Sequence, residues 1–353
     1  MRVLIVGAGP SGLTTAVELA RHGVMPTVID RRKDASSLSR AVGITPRSLE
    51  ILQPSGVTDR LLAEGVKIRE VRIYSKKMLI ASLPLHGTDQ RYDHMLALPQ
   101  DRTEAALRRA LAIYGGAPKY GMELTGLRWE TSRIVAETAD GAETPYDYVI
   151  GADGIHSTTR SAAGIGFPGY DLTDNWSIAD VDADNWVNAR VLTLCLLSGG
   201  RVVVVAPLDA GRFRVISNTD DALATLPLPM DITAVRREGL FTISVRHAAT
   251  YALNDIYLVG DAAHCHSPVG GRGMNLGIAD GAELAGRMIF GNLSGYGEAR
   301  RADAAETIYV SERARKFLTS TRPFNRLIVS GFLKLIMNSS SYRQKFAETL
   351  LKD

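Results

Sequence analysis

Three glycines near the start of the chain have the spacing of a phosphate-binding turn. Gly7, Gly9 and Gly12 fit the pattern G-x-G-x-x-G and directly follow Val3 to Val6, an apolar run typical of a buried parallel strand. In such a turn the first glycine permits the tight bend, the second lets the backbone approach a pyrophosphate, and the third lets a helix sit close to the strand. The amides at the start of that helix would bind phosphate without a basic side chain.

An acidic residue supports the same interpretation. Asp30 closes the next apolar run eighteen residues after Gly12, close to the spacing at which a carboxylate accepts hydrogen bonds from a ribose. The glycines alone would also fit an ordinary turn of an α/β protein, but the strand, the helix and the acid together indicate adenine dinucleotide binding. We expect Ser11 to pack at the phosphate rather than act as a nucleophile, because the nucleophile-elbow pattern is missing. Arg31 either is solvated or covers an adenine.

Two later segments carry polar residues directly after predicted strands. Asp153 and Gly154 follow the run Tyr146 to Ile150, and the segment Gly260-Asp261-Ala-Ala-His264 follows Asp255 to Val259. The first pair would also fit an ordinary turn, and Gly260-Asp261 would also fit a cap of the next element. His264 and the nearby His266 have no carboxylate or further cysteine at metal-ligand spacing, so we expect no metal site.

Hydrophobic periodicity predicts the elements that position these residues. The predicted helices are 10–22, one beginning at Pro46, 100–114 and 274–290, and the predicted strands are 24–29, a partly alternating stretch over 66–85, 124–135, 146–150 and 255–259. From about Phe167 to Val245 short strands separated by turn residues (176–181, 191–197, 201–205 and 212–216) indicate an antiparallel sheet. From Ala302 onward the chain looks mainly helical.

These elements predict an α/β protein in which a sheet domain interrupts a nucleotide-binding domain. The chain has 353 residues, too many for one ordinary core. We assign 1–70, 98–168 and 251–320 to a discontinuous nucleotide-binding domain, 71–97 and 169–250 to a mainly antiparallel substrate-binding sheet, and 321–353 to C-terminal helices. The apolar segment 324–337 carries scattered basic residues; it would suit a membrane-surface helix or dimer contact, but a helix packed across the nucleotide domain is the simpler interpretation.

Composition excludes several classes of partner. The chain is 45% hydrophobic and 22% charged, and 41 basic against 38 acidic residues leave a net charge of +3, too near balance for a nucleic-acid partner. Basic runs such as Arg300-Arg301 are expected to be solvated. The two cysteines, Cys195 and Cys265, fit a reducing compartment. We expect no signal peptide, because a core strand begins almost at residue 1, and no apolar run reaches bilayer length, so we predict a cytoplasmic protein.

In their order and spacing these motifs resemble the class A FAD-dependent monooxygenases, the para-hydroxybenzoate hydroxylase family, over roughly residues 1 to 320. The resemblance implies a Rossmann-like FAD-binding domain whose cofactor site contains Gly7, Gly9, Pro10, Ser11, Gly12, Asp30, Arg31, Arg40, Gln100, Asp153, Gly154, Asp261, Pro268, Gly271, Gly273, Met274 and Asn275.

The resemblance also implies a role for each group of residues. Asp261 and Gln100 would contact the flavin ribityl chain, and Arg40 the diphosphate or ribose. Asp153 and Gly154 would serve the pyrophosphate region and the nicotinamide donor. The loop from Pro268 would bring the amides of the following helix to the pyrimidine edge of the flavin, where reduction places negative charge.

The chain departs from the family pattern in three places. Arg272 stands where glutamine is more common, which would place a cation near the flavin. The stretch 223–240 looks compressed, so part of a substrate lid would be short. The long C-terminal thioredoxin-like domain of some relatives is not in this sequence.

The implied activity is hydroxylation of an aromatic or polyketide-like small molecule with noncovalent FAD, NADH or NADPH, and O2, through a flavin C4a-hydroperoxide. No catalytic base is identified; His247, beside Arg246, either faces the cavity or packs at the surface. A homodimer is left open. The alternatives are a reductase of the same fold (geranylgeranyl reductase-like), a halogenase, whose tryptophan pattern Trp176 and Trp186 do not match, and a catalytically silent flavin-binding protein.

Overall fold

The structure is a computed structural model, and it describes residues 1–36, 41–85, 91–268, 270–321 and 339–351. The strands are β1 (Val3–Val6), β2 (Thr27–Asp30), β3 (Gly43–Ile44), β4 (Val66–Ile68), β5 (Glu70–Ser75), β6 (Met78–Pro84), β7 (Met95–Ala97), β8 (Lys119–Tyr120), β9 (Leu124–Glu130), β10 (Arg133–Thr138), β11 (Glu143–Tyr146), β12 (Tyr148–Gly151), β13 (Gly169–Asp184), β14 (Leu192–Leu196), β15 (Val202–Asp209), β16 (Arg212–Ser217), β17 (Asp231–His247), β18 (Ala252–Leu253), β19 (Ile256–Leu258) and β20 (His264–Cys265).

The α-helices are α1 (Pro10–Arg21), α2 (Pro46–Leu52), α3 (Val57–Glu64), α4 (Gln100–Ile113), α5 (Thr158–Ala162), α6 (Ala222–Thr225), α7 (Gly273–Ile289), α8 (Tyr296–Leu318) and α9 (Ser340–Leu351). Two short 3-10 turns cover Ser198–Gly200 and Gly260–Ala262.

The nucleotide-domain sheet has the strand order β18-β19-β12-β1-β2-β8. Its strands run parallel except β18, which pairs antiparallel with β19. All four residues of β1 are buried, as expected for a central parallel strand covered on both faces. Because the strands are parallel, the carboxyl ends of β19, β12, β1 and β2 lie along one edge of the sheet.

The second large sheet has the order β20-β17-β13-β16-β15-β14-β5-β6. Its pairs are antiparallel except β14 with β5, so the expected mainly antiparallel sheet is confirmed. Most of it comes from the segment between β12 and β19, which agrees with an interruption of the first sheet. The segment 71–97 contributes to two sheets, because β7 pairs with β3 and β4 in a small sheet of its own. The exact domain limits stay a prediction.

Helices α1 and α7 cross at small residues. A Cβ built on Gly277 would lie 2.2 Å from the Ser11 Oγ, and one on Gly281 would lie 2.6 Å from the Thr15 Oγ1 and 2.7 Å from the Ser11 carbonyl oxygen. The glycines therefore let α7 approach α1 at a distance that no side chain would permit. Ser11 lies at this crossing, directly after the glycine turn.

The structure corrects several predicted elements. The second strand begins at Thr27 rather than at residue 24, and the predicted strand 124–135 is divided into β9 and β10 by a turn at Thr131, whose φ is +45°. That the stretch 223–240 is compressed relative to the family stays a prediction; the structure shows that it contains the first part of the long strand β17. Residues 322–338, which include the whole apolar segment 324–337 and its proposed helix, lie outside the described residues.

Within the residues described above, no helix combines the length and apolar character needed to cross a bilayer.

Candidate cofactor site

The carboxyl edge of the parallel sheet brings together the motifs that the sequence singled out. Gly7 follows β1, Asp30 ends β2, Asp153 follows β12 and Gly260 follows β19. These four strands are neighbours in the sheet, although the residues that follow them are far apart in the chain. Ligands of open α/β sheets bind at this edge, so the first geometric condition for a common site is met.

The three glycines of the first turn have different surroundings. Gly7 has a φ of +108°, and a Cβ on it would lie 2.3 Å from the Ala152 carbonyl oxygen; a Cβ on Gly12 would lie 2.1 Å from the Gly7 carbonyl oxygen. A Cβ on Gly9 would meet no heavy atom within 4 Å. The fold itself therefore requires glycine at Gly7 and Gly12, whereas the space above Gly9 is open to a ligand. Pro10 begins α1 directly beside it.

Asp30 is buried and its carboxylate is shared between the glycine turn and a neighbouring arginine. Oδ2 accepts from the Ala8 amide at 2.8 Å, and both oxygens accept from the Arg32 guanidinium, with Nε at 3.0 Å and Nη2 at 2.9 Å. Burial alone would raise the pKa of Asp30, but the hydrogen bonds from Arg32 and from the Ala8 and Arg32 amides outweigh it and lower the pKa. Arg32 thus makes the ion pair, whereas Arg31, which the sequence singled out, is exposed.

A polar chain leads from Arg32 to Gln100. Arg32 Nη1 lies 3.5 Å from the Glu104 carboxylate, which accepts from the Gln100 amide at 2.9 Å. The Gln100 side-chain oxygen in turn accepts from the Ala41 amide at 3.1 Å. Burial raises the pKa of Glu104, against the lowering effects of Gln100 and Arg32. Gln100 therefore contacts the backbone at Ala41. Arg40, another predicted contact, lies outside the described residues.

The Asp153 carboxylate is used by its own loop. It accepts from the Thr159 amide at 2.9 Å and from the Ser157 hydroxyl, and so it stabilises the start of α5. Gly154 has a φ of +81° and open space where a Cβ would be. Arg160, which closes this motif, donates at 2.9 Å to the carbonyl of Ala262 in the turn after β19. In this motif the side chains stabilise two loops, which leaves the backbone around Gly154 to approach a ligand.

The turn after β19 exposes one carboxylate and buries a charged network behind it. Asp261 is exposed. Gly260 has a φ of +59°, and His264, at the end of the motif, is fully buried and contacts Asp280 of α7 through Nε2 at 2.6 Å. The same carboxylate binds Arg300 of α8 at 2.7 Å. Arg300 is thus buried rather than solvated, which corrects the expectation for Arg300-Arg301.

Asn275 ties the start of α7 to neighbouring segments. Its amide nitrogen donates to the carbonyls of Gly43 and Gly271 at 2.9 Å each, and its oxygen accepts from the Thr45 amide at 3.0 Å. The side chain is therefore fully used by the protein, and a contact to a cofactor would come from the backbone. Arg272, the unusual residue of this loop, is 7% exposed.

The remaining predicted loop residues surround this helix start. Pro268 is exposed, Gly271 has a φ of +65° with open space at its Cβ position, Gly273 is the first residue of α7, and Met274 is buried. Backbone amides at the start of a helix bind anionic or electron-rich groups, so this loop suits the negatively charged edge of a reduced flavin.

Sequence reasoning missed two buried charged groups. One is the Asp280–Arg300 pair; the other joins Asp180 of β13 to Arg214 of β16, which face each other across the strands with two contacts of 2.7 Å. The regular spacing of helix α7 and the alternation of β13 and β16 could have placed these charges on buried faces.

His247 is half-buried at the end of β17, where its backbone pairs with His264 of β20. Its ring packs edge-on against Tyr251 at 5.3 Å, and burial lowers its pKa to about 4, with the charge of Arg301 adding to the effect. It lines a 410 Å³ groove between the end of β17 and α8. No group of His, Cys, Asp or Glu side chains in the described ranges could hold a metal ion.

The site thus offers an open phosphate cradle at Gly9, an exposed carboxylate at Asp261 and a helix start with glycine-exposed amides, all supported by buried polar contacts. These features suit an extended dinucleotide: the cradle suits its pyrophosphate, Asp30 lies where an adenosine ribose would bind, and the second turn suits a ribityl chain.

Comparison with known proteins agrees with this geometry. The family model described as "FAD binding domain" matches residues 1–224 and 214–317. The chain is 30% identical to the rifampicin monooxygenase of Streptomyces venezuelae over 91% of its own length and 72% of that protein. It is 31% identical to the pentachlorophenol 4-monooxygenase of Sphingobium chlorophenolicum over 93% of its length and 65% of that protein. The p-nitrophenol 4-monooxygenase of Pseudomonas putida has the same fold, with a TM-score of 0.89, 22% identity and coverage of 99% and 97% of the two chains.

Proposed function

The chain belongs to the FAD-binding-domain family of class A flavoprotein monooxygenases, and we propose that it hydroxylates an aromatic or polyketide-like small molecule with NAD(P)H and O2. Membership confirms the expected family, the α/β fold class and FAD as the cofactor. The chain spans 72% and 65% of the two relatives compared above, so the activity of the whole protein and its substrate are part of the proposal.

One observation of the structure supports this proposal most directly. The open cradle at Gly9 and the turn that exposes Asp261 lie at one sheet edge, although about 250 residues separate them in the chain. We assign the cofactor contacts to the residues predicted from the sequence, with two changes. The side chains of Asp153 and Asn275 hold loops and leave contacts to the backbone, and Arg32 joins the group through its pair with Asp30.

Bound FAD supplies hydride acceptance and oxygen activation, and the protein supplies binding, orientation and exclusion of water. In our proposal the glycine turn binds the pyrophosphate, Asp261 orients the ribityl chain, and the amides at the start of α7 stabilise negative charge on the reduced ring. The mainly antiparallel sheet, assigned to 71–97 and 169–250, would form one wall of the substrate cavity and the loop from Pro268 another.

Four further assignments are proposals. The two buried cysteines, both unpaired, suit a reducing compartment, and we place the protein in the cytoplasm. A homodimer, and either NADH or NADPH as the co-substrate, belong to the proposal as well. The relatives' names point to large or halogenated aromatic substrates for those proteins, and we propose a substrate of the same broad chemical class here.

The test is to purify the protein and record its visible spectrum, before and after addition of FAD. A yellow protein that oxidises NAD(P)H faster with one phenol of a panel, and that incorporates isotopically labelled dioxygen into it, would support the proposal. NAD(P)H oxidation without oxygen incorporation would instead support the reductase alternative. A protein that stays colourless with excess FAD would contradict the whole assignment.

We further expect Asp261→Ala to weaken FAD retention without unfolding the protein, because the exposed carboxylate is removed from the turn surface rather than from a core. The dissociation constant should rise about tenfold, as for a lost hydrogen bond to a charged group. Equilibrium dialysis with FAD measures it, and Asp140→Ala, at an exposed turn far along the chain, is the matched control. Unchanged FAD content in Asp261→Ala would count against this contact.

A further inference from the structure

Three segments of the cofactor site meet behind its surface. A Cβ built on Gly260 would lie 2.3 Å from the Ser11 Oγ, and one built on Gly277 would lie 2.2 Å from it. The first turn of α1, the turn after β19 and helix α7 are therefore in direct contact. A displacement of α7 would therefore also move the glycine turn and the turn that carries Asp261.

One carboxylate joins α7 to the turn after β19 and to α8. Asp280 of α7 is fully buried, and its Oδ2 accepts from the Gly260 amide at 3.0 Å and from the His264 Nε2 at 2.6 Å. Its Oδ1 accepts from the Arg300 Nε at 2.7 Å. Burial would raise the pKa of Asp280, but His264, Arg300 and the Gly260 amide together lower it, so the carboxylate is ionised.

The two hydrogen bonds that Oδ2 accepts come from the two ends of the turn that carries Asp261. Gly260 immediately precedes Asp261, and His264 ends the same motif three residues later. A single carboxylate that binds both ends of so short a segment restricts its backbone torsions between them. Burying an ion pair of this kind gains little stability over apolar packing, so a role in fixing one conformation is the better explanation.

We propose that Asp280 is a positioning residue of the FAD site, which holds the Gly260–His264 turn so that the Asp261 carboxylate is directed toward the ribityl chain. This inference rests on the proposed function. Arg300 supports Asp280 by balancing its charge from α8, and it is itself bound by Asp303 at 2.6 Å. Asp280 touches no cofactor-facing surface, so its effect must pass through the turn.

The experiment compares FAD with ADP, which shares the adenosine and pyrophosphate half of FAD but lacks the ribityl chain and the flavin. Asp280→Asn keeps the size of the side chain and removes its charge. We expect its FAD dissociation constant to rise about tenfold, as for lost charge-assisted hydrogen bonds. The ADP constant should change less than about twofold, because Asp280 bonds to the turn after β19 and to Arg300 rather than to the glycine turn or Asp30, and the size-conserving substitution leaves the packing of α7 on α1 in place.

A double-mutant cycle then separates positioning from general support. If Asp280 acts through Asp261, Asp280→Asn should add little to the FAD defect once Asp261→Ala is present. Additive effects, or equal losses of FAD and ADP affinity, would overturn the inference. Glu283→Gln, an exposed acid on α7 outside this network, is the matched control and should bind FAD normally.

Failure of the proposed function and failure of the variant to fold can both be told apart from failure of this inference. If wild-type protein binds ADP but never FAD, the proposed function fails before the inference is reached. If Asp280→Asn does not fold, His264→Leu replaces it, because it removes the second contact to the turn and leaves the Asp280–Arg300 pair intact. Equal FAD affinity of His264→Leu and wild type would then contradict the positioning role.

Discussion

The glycine turn shows how identical residues at one motif have separate roles. Gly7 and Gly12 are required by the polypeptide itself, because a Cβ on either would overlap a carbonyl oxygen. Gly9 has an extended backbone, with φ −81° and ψ −179°, that any residue adopts. A Cβ at this position would meet no heavy atom within 4 Å. A larger residue at this position would clash with a bound ligand but not with the protein, so a mutation here can separate the effect on binding from the effect on folding.

We predict that Gly9→Val folds but fails to bind FAD, because the branched side chain would fill the space of the pyrophosphate. Circular dichroism should resemble wild type, whereas FAD titration of the apoprotein should show no binding. Gly12→Ala is the contrasting control. Its Cβ would lie 2.1 Å from the Gly7 carbonyl oxygen, and we expect a loss of about 1–3 kcal/mol in the free energy of unfolding. Normal FAD affinity in Gly9→Val would refute the cradle.

The positions of the motifs in this site could be predicted from the sequence more accurately than the contacts that their side chains make. Glycine spacing and an acid in register are local features, so the turn and Asp30 could be predicted. Whether Asp153 or Asn275 faces a ligand or its own loop depends on partners distant in the chain, such as Thr45 for Asn275. The same holds for Asp280, whose partners come from two other elements.

At the scale of elements, the crossing of α1 and α7 depends on glycines that resemble ordinary helix residues in the sequence. A Cβ built on Gly281 would lie less than 3 Å from the Thr15 Oγ1 and from the Ser11 carbonyl oxygen. A Cβ built on Gly286, on the same helix, would meet no heavy atom within 4 Å. The two positions share a helix and a residue type but differ in what surrounds them.

We expect Gly281→Ala to destabilise the protein by about 1–3 kcal/mol, because α7 must move away from α1. Gly286→Ala should instead stabilise it by roughly 0.4–1 kcal/mol, because alanine is the better helix former and meets no atom. Urea denaturation of the two variants measures both signs. A loss of stability for Gly286→Ala, or none for Gly281→Ala, would contradict the crossing described here.

Short buried strands were easier to predict than long exposed ones. Strands β1 and β19 are fully buried and appear as continuous apolar runs. Strand β17 is largely exposed between Asp231 and Thr242, so no buried face imposes a period of two on its sequence. The pairing with β13 that defines this strand is therefore not encoded in a local sequence pattern.

At the scale of the whole molecule, two half-buried histidines link stability to pH. Burial lowers the pKa of His247 and of His266 to about 4. In the unfolded chain each would bind a proton near its ordinary pKa of about 6.5. Between these values the unfolded state binds more protons, so the free energy of unfolding falls as the pH decreases from about 6.5 to about 4.

We therefore predict that melting temperatures decrease steeply over this range and that the decrease is smaller in His247→Gln and His266→Gln. The comparison uses the slope with pH rather than the absolute stability, because either substitution changes packing as well. His22→Gln, at an exposed position, is the control and should keep the wild-type slope. Calorimetry of the apoprotein at several pH values provides the measurement, and parallel profiles for all four proteins would contradict the prediction.

The position of β19 in the sheet has a consequence for biosynthesis. Its three residues pair with β12, yet a segment of about a hundred residues, including most of the second sheet, separates the two strands in the chain. At ribosomal rates of about 5–20 residues per second, that segment takes on the order of 5 to 20 seconds to emerge. Throughout this interval the nascent β12 exposes an unpaired strand edge, which makes chaperone protection most valuable while the middle of the protein is being translated.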